Sequence, residues 1–134
     1  MPPEWARAGF TSSSGRPEYP WALGKPADAV AYLFAIQLVA GGNRPDHSNN
    51  KVLWVTQEPP GGLRIKSHPL GRSEPQVAIG GQVSNGNQVP TIVDVPTPGC
   101  WVFDLSWGQP TKHTSTIGLD VLPEETLPAQ PHRW

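Results

Sequence analysis

Apolar residues recur at every second position through the C-terminal half of this chain, the pattern of strands with one buried side. In Cys100 to Trp107 the side chains of Trp101, Phe103, Leu105 and Trp107 fall on one face, with Val102, Asp104 and Ser106 on the other. Leu63-Arg64-Ile65-Lys66 repeats the pattern, Leu63 and Ile65 pointing inward and Arg64 and Lys66 outward. Lys51 to Val55, Gln76 to Ile79, Thr91 to Val95 and Thr114 to Val121 read as further strands. Ala29 to Val39 (AVAYLFAIQLV) breaks the alternation, because only Gln37 is polar. A surface helix of that length carries polar residues every three or four positions. The aromatic and β-branched content predicts one strand buried on both faces instead.

Chain breakers separate these runs. Pro59-Pro60-Gly61-Gly62, Gly80-Gly81 and Pro96 to Gly99 mark turns, and Ser84-Asn85-Gly86-Asn87 supplies residues that tolerate positive φ. About seven short strands at this spacing, without helix–strand alternation, predict an all-β chain: an antiparallel immunoglobulin-like β-sandwich. The expected organisation is an extended N-terminal arm over residues 1–28, a sandwich over 29–122 and a flexible Pro-rich tail over 123–134. Trp5, Phe10, Tyr19 and Trp21 give the arm aromatic residues that linkers lack. It is therefore expected to dock partly on the sandwich, with a mobile tip at Ser12 to Gly15. The predicted core holds Tyr32, Phe34, Trp54, Ile65, Trp101, Phe103, Leu105, Ile117 and Leu119.

Composition narrows the function classes. The 134 residues suit one domain with a core of its own, and the 17 prolines and 14 glycines cluster at turns as in a folded β-protein. A net charge of -1 provides no basic field for nucleic acid. Cys100 is the only cysteine, which excludes an intrachain disulfide, and beside Trp101 it reads as a small buried hydrophobe. The apolar run Ala29 to Val39 is too short to span a bilayer. No charged n-region and long h-region follow Met1, so the chain is expected to be cytoplasmic unless an export signal was trimmed from it.

Candidate chemistry is sparse. Six tryptophans invite comparison with carbohydrate-binding modules, but Trp54, Trp101 and Trp107 lie in strands and read as core. Trp5 and Trp21 remain as candidate ligand platforms, with Trp134 in the tail. His47, His68, His113 and His132 show no metal-ligand spacing; His47 and His113 are the loop histidines able to join a binding site. No metal or other cofactor is expected, since a blue-copper site would require a methionine after Cys100. The chain has no GxSxG elbow, and its glycine pairs lack the Lys-Ser/Thr of a phosphate loop. Arg64, Lys66 and Arg72 read as a solvated face.

Several short motifs occur together: Pro20-Trp21-Ala22-Leu23-Gly24, Asp28 to Phe34, Asn50 to Val55, the DVPTPGCW run from Asp94 to Trp101, and Leu105-Ser106-Trp107. In this order they resemble a group of small uncharacterised bacterial proteins, exported or lipid-anchored and of Gram-positive type. The resemblance covers about residues 20–121. It implies an immunoglobulin-like sandwich in the cell envelope or outside the cell, and it brings no catalytic residues. The expected function is a non-enzymatic binding or accessory domain with a protein or glycan partner. The alternatives are a carbohydrate-binding module and, last, an enzyme with a site built from loops, a reading that a cleft with converging His113, Asp94 or His47 would support.

Overall fold

The computed structural model describes residues 3–6, 19–34, 37–42, 49–57, 62–79, 87–108 and 112–123. Nine strands occur among them, in two sheets. One sheet holds β1 (Trp21–Leu23), β2 (Ala29–Leu33), β4 (Lys51–Thr56) and β7 (Gln88–Ile92), in the order β1-β2-β4-β7 and antiparallel throughout. The other holds β3 (Leu38–Val39), β5 (Arg64–Pro69), β6 (Val77–Ile79), β8 (Gly99–Trp107) and β9 (His113–Leu122), in the order β3-β9-β8-β5-β6. Its pairs are antiparallel except for β3, which runs parallel to β9. The protein is all-β.

Period-two patterning places the core between the sheets. Trp101, Phe103, Leu105 and Trp107 of β8 are buried, as are Ile117, Leu119 and Val121 of β9. They pack with Ala29, Ala31 and Leu33 of β2 and with Val52 and Trp54 of β4 in one cluster. Two indole N–H groups in this layer have partners. Trp54 Nε1 donates to Thr91 Oγ1 (2.7 Å) and Trp101 Nε1 to the Thr97 carbonyl (2.8 Å), which offsets the desolvation of burying them.

The run Ala29 to Val39, predicted as one strand, is divided. Phe34 N–H bonds to the Lys51 carbonyl (3.1 Å) at the end of the β2–β4 ladder. Leu38 and Val39 then pair with Val121 and Leu122 in the opposite sheet. Both destinations are apolar, so hydropathy could not mark the crossing. Trp21–Leu23, assigned to the arm, is strand β1. Thr91 to Val95 is also displaced, since β7 ends at Ile92. Cys100, expected to be buried, is only half-buried; it precedes the buried Trp101 and so shares the outward face with Val102 and Asp104.

The sheets are joined at one margin. Lys25 and Thr116 exchange two backbone hydrogen bonds of 3.0 Å, which adds Lys25 to the edge of β9 below β3. The neighbouring Gly24 is buried, and a β-carbon there would run into Ser115 Oγ, the Ala29 carbonyl and Ile117. Here close approach of the sheets requires glycine. Gly99, at the corner leading into β8, has φ of 115°, a conformation that L side chains rarely adopt.

On the far margin, the bonds from Thr56 N–H to the Asn87 carbonyl (3.0 Å) and from Val93 N–H to the Asn50 carbonyl (2.9 Å) set the phase of the β4–β7 ladder. Pro90, opposite Leu53, falls on the alternate, non-bonded positions, with its nitrogen turned outward.

Candidate functional site

Alternation along β2 and β4 creates a second apolar surface. Ala29, Ala31, Val52 and Trp54 face the core, so Val30, Tyr32, Leu53 and Val55 face the other way. This outer face is covered from the N-terminus. Glu4–Ala6 forms a 3-10 turn closed by the bond from Ala6 N–H to the Pro3 carbonyl (2.9 Å), and Ala6 is fully buried on the sheet. Tyr32 Oη donates a 2.6 Å hydrogen bond to the Ala6 carbonyl and fixes the turn in place.

Around this cluster Trp5, Tyr19, Trp21 and Phe34 pack with part of each ring still in solvent. Trp21 sits in register with Tyr32, and the bond from Leu33 N–H to the Pro20 carbonyl (2.9 Å) continues the pairing beyond β1. Tyr19 and Phe34 lie with centroids 4.7 Å apart at 49°, and Lys51 Nζ stands 5.7 Å from the Phe34 ring centre. Four partly buried rings, one of them with a cation over it, can hold an apolar side chain or stack on a sugar ring.

Trp5 and Trp21, both expected as platforms, thus pack against the same cluster. His113 lies on the other sheet, stacked on Trp107 at 5.8 Å and 20°. Trp107 Nε1 is buried without a hydrogen-bond partner among the described residues. His47 and Trp134 lie outside the described residues. Asp94 accepts from Asn50 Nδ2 (3.3 Å), whose amide also bonds to Val39 at the β3 end of the sheet. His113 is at the opposite end of the β8–β9 ladder, roughly 27 Å away at strand rise. Asp94 and His113 are therefore not brought together, and His47, the third residue named for a loop-built site, lies outside the described residues.

The sequence places Tyr19 in a docking arm but does not single out Phe34 or Lys51 for this surface, Phe34 reading as core. The two-residue spacing of Val30, Tyr32 and Phe34 carried the information, but an all-apolar run does not say which of its faces a cover leaves open.

The outer face of the five-stranded sheet is polar, with exposed Arg64 and Lys66 on β5, Asp104 on β8 and Thr116 on β9. Arg72, beyond β5, is exposed as the sequence predicts. Asp104 accepts a 3.0 Å bond from Thr116 Oγ1 and lies 3.3 Å from His68 Nε2. His68 Nδ1 faces the carbonyls of Pro69 (3.0 Å) and Arg72 (2.9 Å). The Pro69 carbonyl contact raises its pKa above the ordinary 6.5, helped by Arg72 and Asp104 and opposed by partial desolvation. Among the described residues no three His, Cys, Asp or Glu side chains gather as metal ligands would.

No family model, curated protein or solved structure matches the chain.

Proposed function

We propose that this protein is an immunoglobulin-like binding domain that holds a partner protein on the aromatic surface of Trp5, Tyr19, Trp21 and Phe34, without transforming it. Strand order supports the fold reading. With β2, β4 and β7 taken as strands A, B and E, and β3, β5, β6, β8 and β9 as A′, C, C′, F and G, the sheets become A-B-E and A′-G-F-C-C′. That order is compatible with the Greek-key connectivity of immunoglobulin-like sandwiches, with β1 added beside A and no strand D among the described residues. Trp54 and Phe103 then occupy strands B and F, which a disulfide joins in antibody domains.

One observation carries the function: four aromatic rings, each partly exposed, gathered on one sheet face beside Lys51. Buried strand tryptophans serve packing, whereas half-exposed ones on a fixed base offer contact area at little entropic cost. A glycan partner is the second reading, favoured by the same indole and phenol faces. Membership of the cell envelope or an extracellular location belongs to the same proposal, and cell fractionation with an antibody to the domain checks it.

The separating experiment is a glycan array together with tryptophan fluorescence on sugar addition, run beside affinity capture on wild-type and Trp21→Ala baits. A protein captured by the wild type and lost with Trp21→Ala, with no glycan response, is the expected result. Saturable quenching by a glycan would shift the assignment to a carbohydrate-binding module. Capture unaffected by Trp5→Ala and Trp21→Ala would remove this surface from consideration.

A further inference from the structure

We propose that His68 is a pH-operated latch between the β5–β6 connection and the outer face of the five-stranded sheet. Both ring nitrogens meet acceptors only. Nδ1 has two backbone carbonyls, from Pro69 and Arg72, and Nε2 has the Asp104 carboxylate. A neutral imidazole carries one N–H, so it satisfies one side and turns a lone pair toward the other. Only the imidazolium serves both, and Asp104 passes the connection on to β9 through Thr116. The protonated latch therefore ties the turn after β5, then β8, then β9, in one chain of hydrogen bonds.

The charges around His68 fit this role. Asp104 on β8 is the nearest anion, with Asp120 on the same face of β9, and Glu74 is exposed in the β5–β6 connection. Lys66, in register with Asp104, and Arg64 and Arg72 oppose a second positive charge. The geometry favours protonation because the carboxylate and both carbonyls are in direct contact with the ring. The turn begins with Leu70, which is 65% exposed, the highest value for a large apolar side chain among the described residues. Its N–H bonds to the Cys100 carbonyl (2.9 Å) and Arg72 N–H to that of Pro69 (3.1 Å). In acid the latch holds this apolar tip in a fixed place; above neutrality it loosens one of its two anchors.

The test is an NMR titration of the full chain from about pH 5 to about pH 9, the range in which histidines exchange charge. It follows the His68 ring and the backbone amides of Arg72, Asp104 and Thr116. His68 is expected to titrate above 6.5, the three amides to share its midpoint, and Asp104→Asn to lower that midpoint. After correction for intrinsic exchange, Arg72 amide protection should fall several-fold from the acid to the alkaline end. In His68→Gln, which cannot titrate, that change should vanish. A His68 midpoint at or below 6.5, a midpoint unmoved by Asp104→Asn, or protection in His68→Gln that varies with pH as in the wild type would each overturn the latch.

Discussion

Trp54 of β4 and Phe103 of β8 meet across the two sheets, their ring centres 5.6 Å apart and their planes tilted by 47°. Each is fully buried, and the contact joins the two inner faces at the middle of the core. Tilted ring pairs contribute beyond the area they bury. Phe103→Ala is expected to lower stability by about 3–5 kcal/mol, read from the midpoint of urea unfolding. Trp54→Ala should cost at least as much, because it also strands the Thr91 hydroxyl. A loss under about 1 kcal/mol for both would show that the sheets close around some other contact.

Tyr32→Phe tests how the N-terminal turn is held. It removes the donor to the Ala6 carbonyl, so global stability should fall by about 0.5–1.5 kcal/mol. The more telling readout is local. With 5-fluorotryptophan incorporated and Trp5 assigned by mutation, the Trp5 fluorine resonance should move toward its solvent-exposed position as the turn lifts from the sheet. An unchanged resonance would mean that Ala6 burial alone secures the turn.

Gly24→Ala addresses the joined margin. The added methyl must displace Ser115 Oγ, which now donates 2.7 Å to the Pro26 carbonyl, and it presses on the Ala29 carbonyl. Overpacking of this kind destabilises by about 1–3 kcal/mol. Amide exchange at Thr116 and Lys25 should quicken more than at β8. A variant as stable as the wild type would place the two strands farther apart than the paired bonds require.

The latch has a thermodynamic counterpart whose sign follows from the direction of the shift. His68 is raised above 6.5 in the folded protein, so its contribution is fully present below the unfolded value. It is lost as pH rises from 6.5 through the native value. Unfolding midpoints measured on both sides of this window should show wild type losing more stability with rising pH than His68→Gln. Equal slopes would refute the linkage.

The inner faces were largely legible in the sequence. Period-two spacing placed Trp101, Phe103, Leu105 and Trp107 correctly, and the unbroken apolar run at Ala29 to Leu33 announced a strand covered on both sides. Two kinds of information were missing. Hydropathy records that a residue avoids water, not which sheet it joins, so the passage from β2 to β3 could not be read. It also cannot name a cover: Val30 and Tyr32 needed one, but its identity depends on long-range docking of Ala6, 26 residues from Tyr32. The His68 contacts depend on cross-strand register, which places Lys66 opposite Asp104 and His68 one step along, and no local pattern encodes that pairing.

Pro90 has a consequence for molecules that meet side by side. A strand laid along β7 would look for alternating donors and acceptors, and at Pro90 it would find a ring carbon where an N–H should be. Copies of this domain are therefore discouraged from extending the four-stranded sheet into a continuous ribbon along this border, even when crowded. The proline that leaves the β4–β7 ladder intact on its inner side works on the outer side as a guard against fibrous self-assembly.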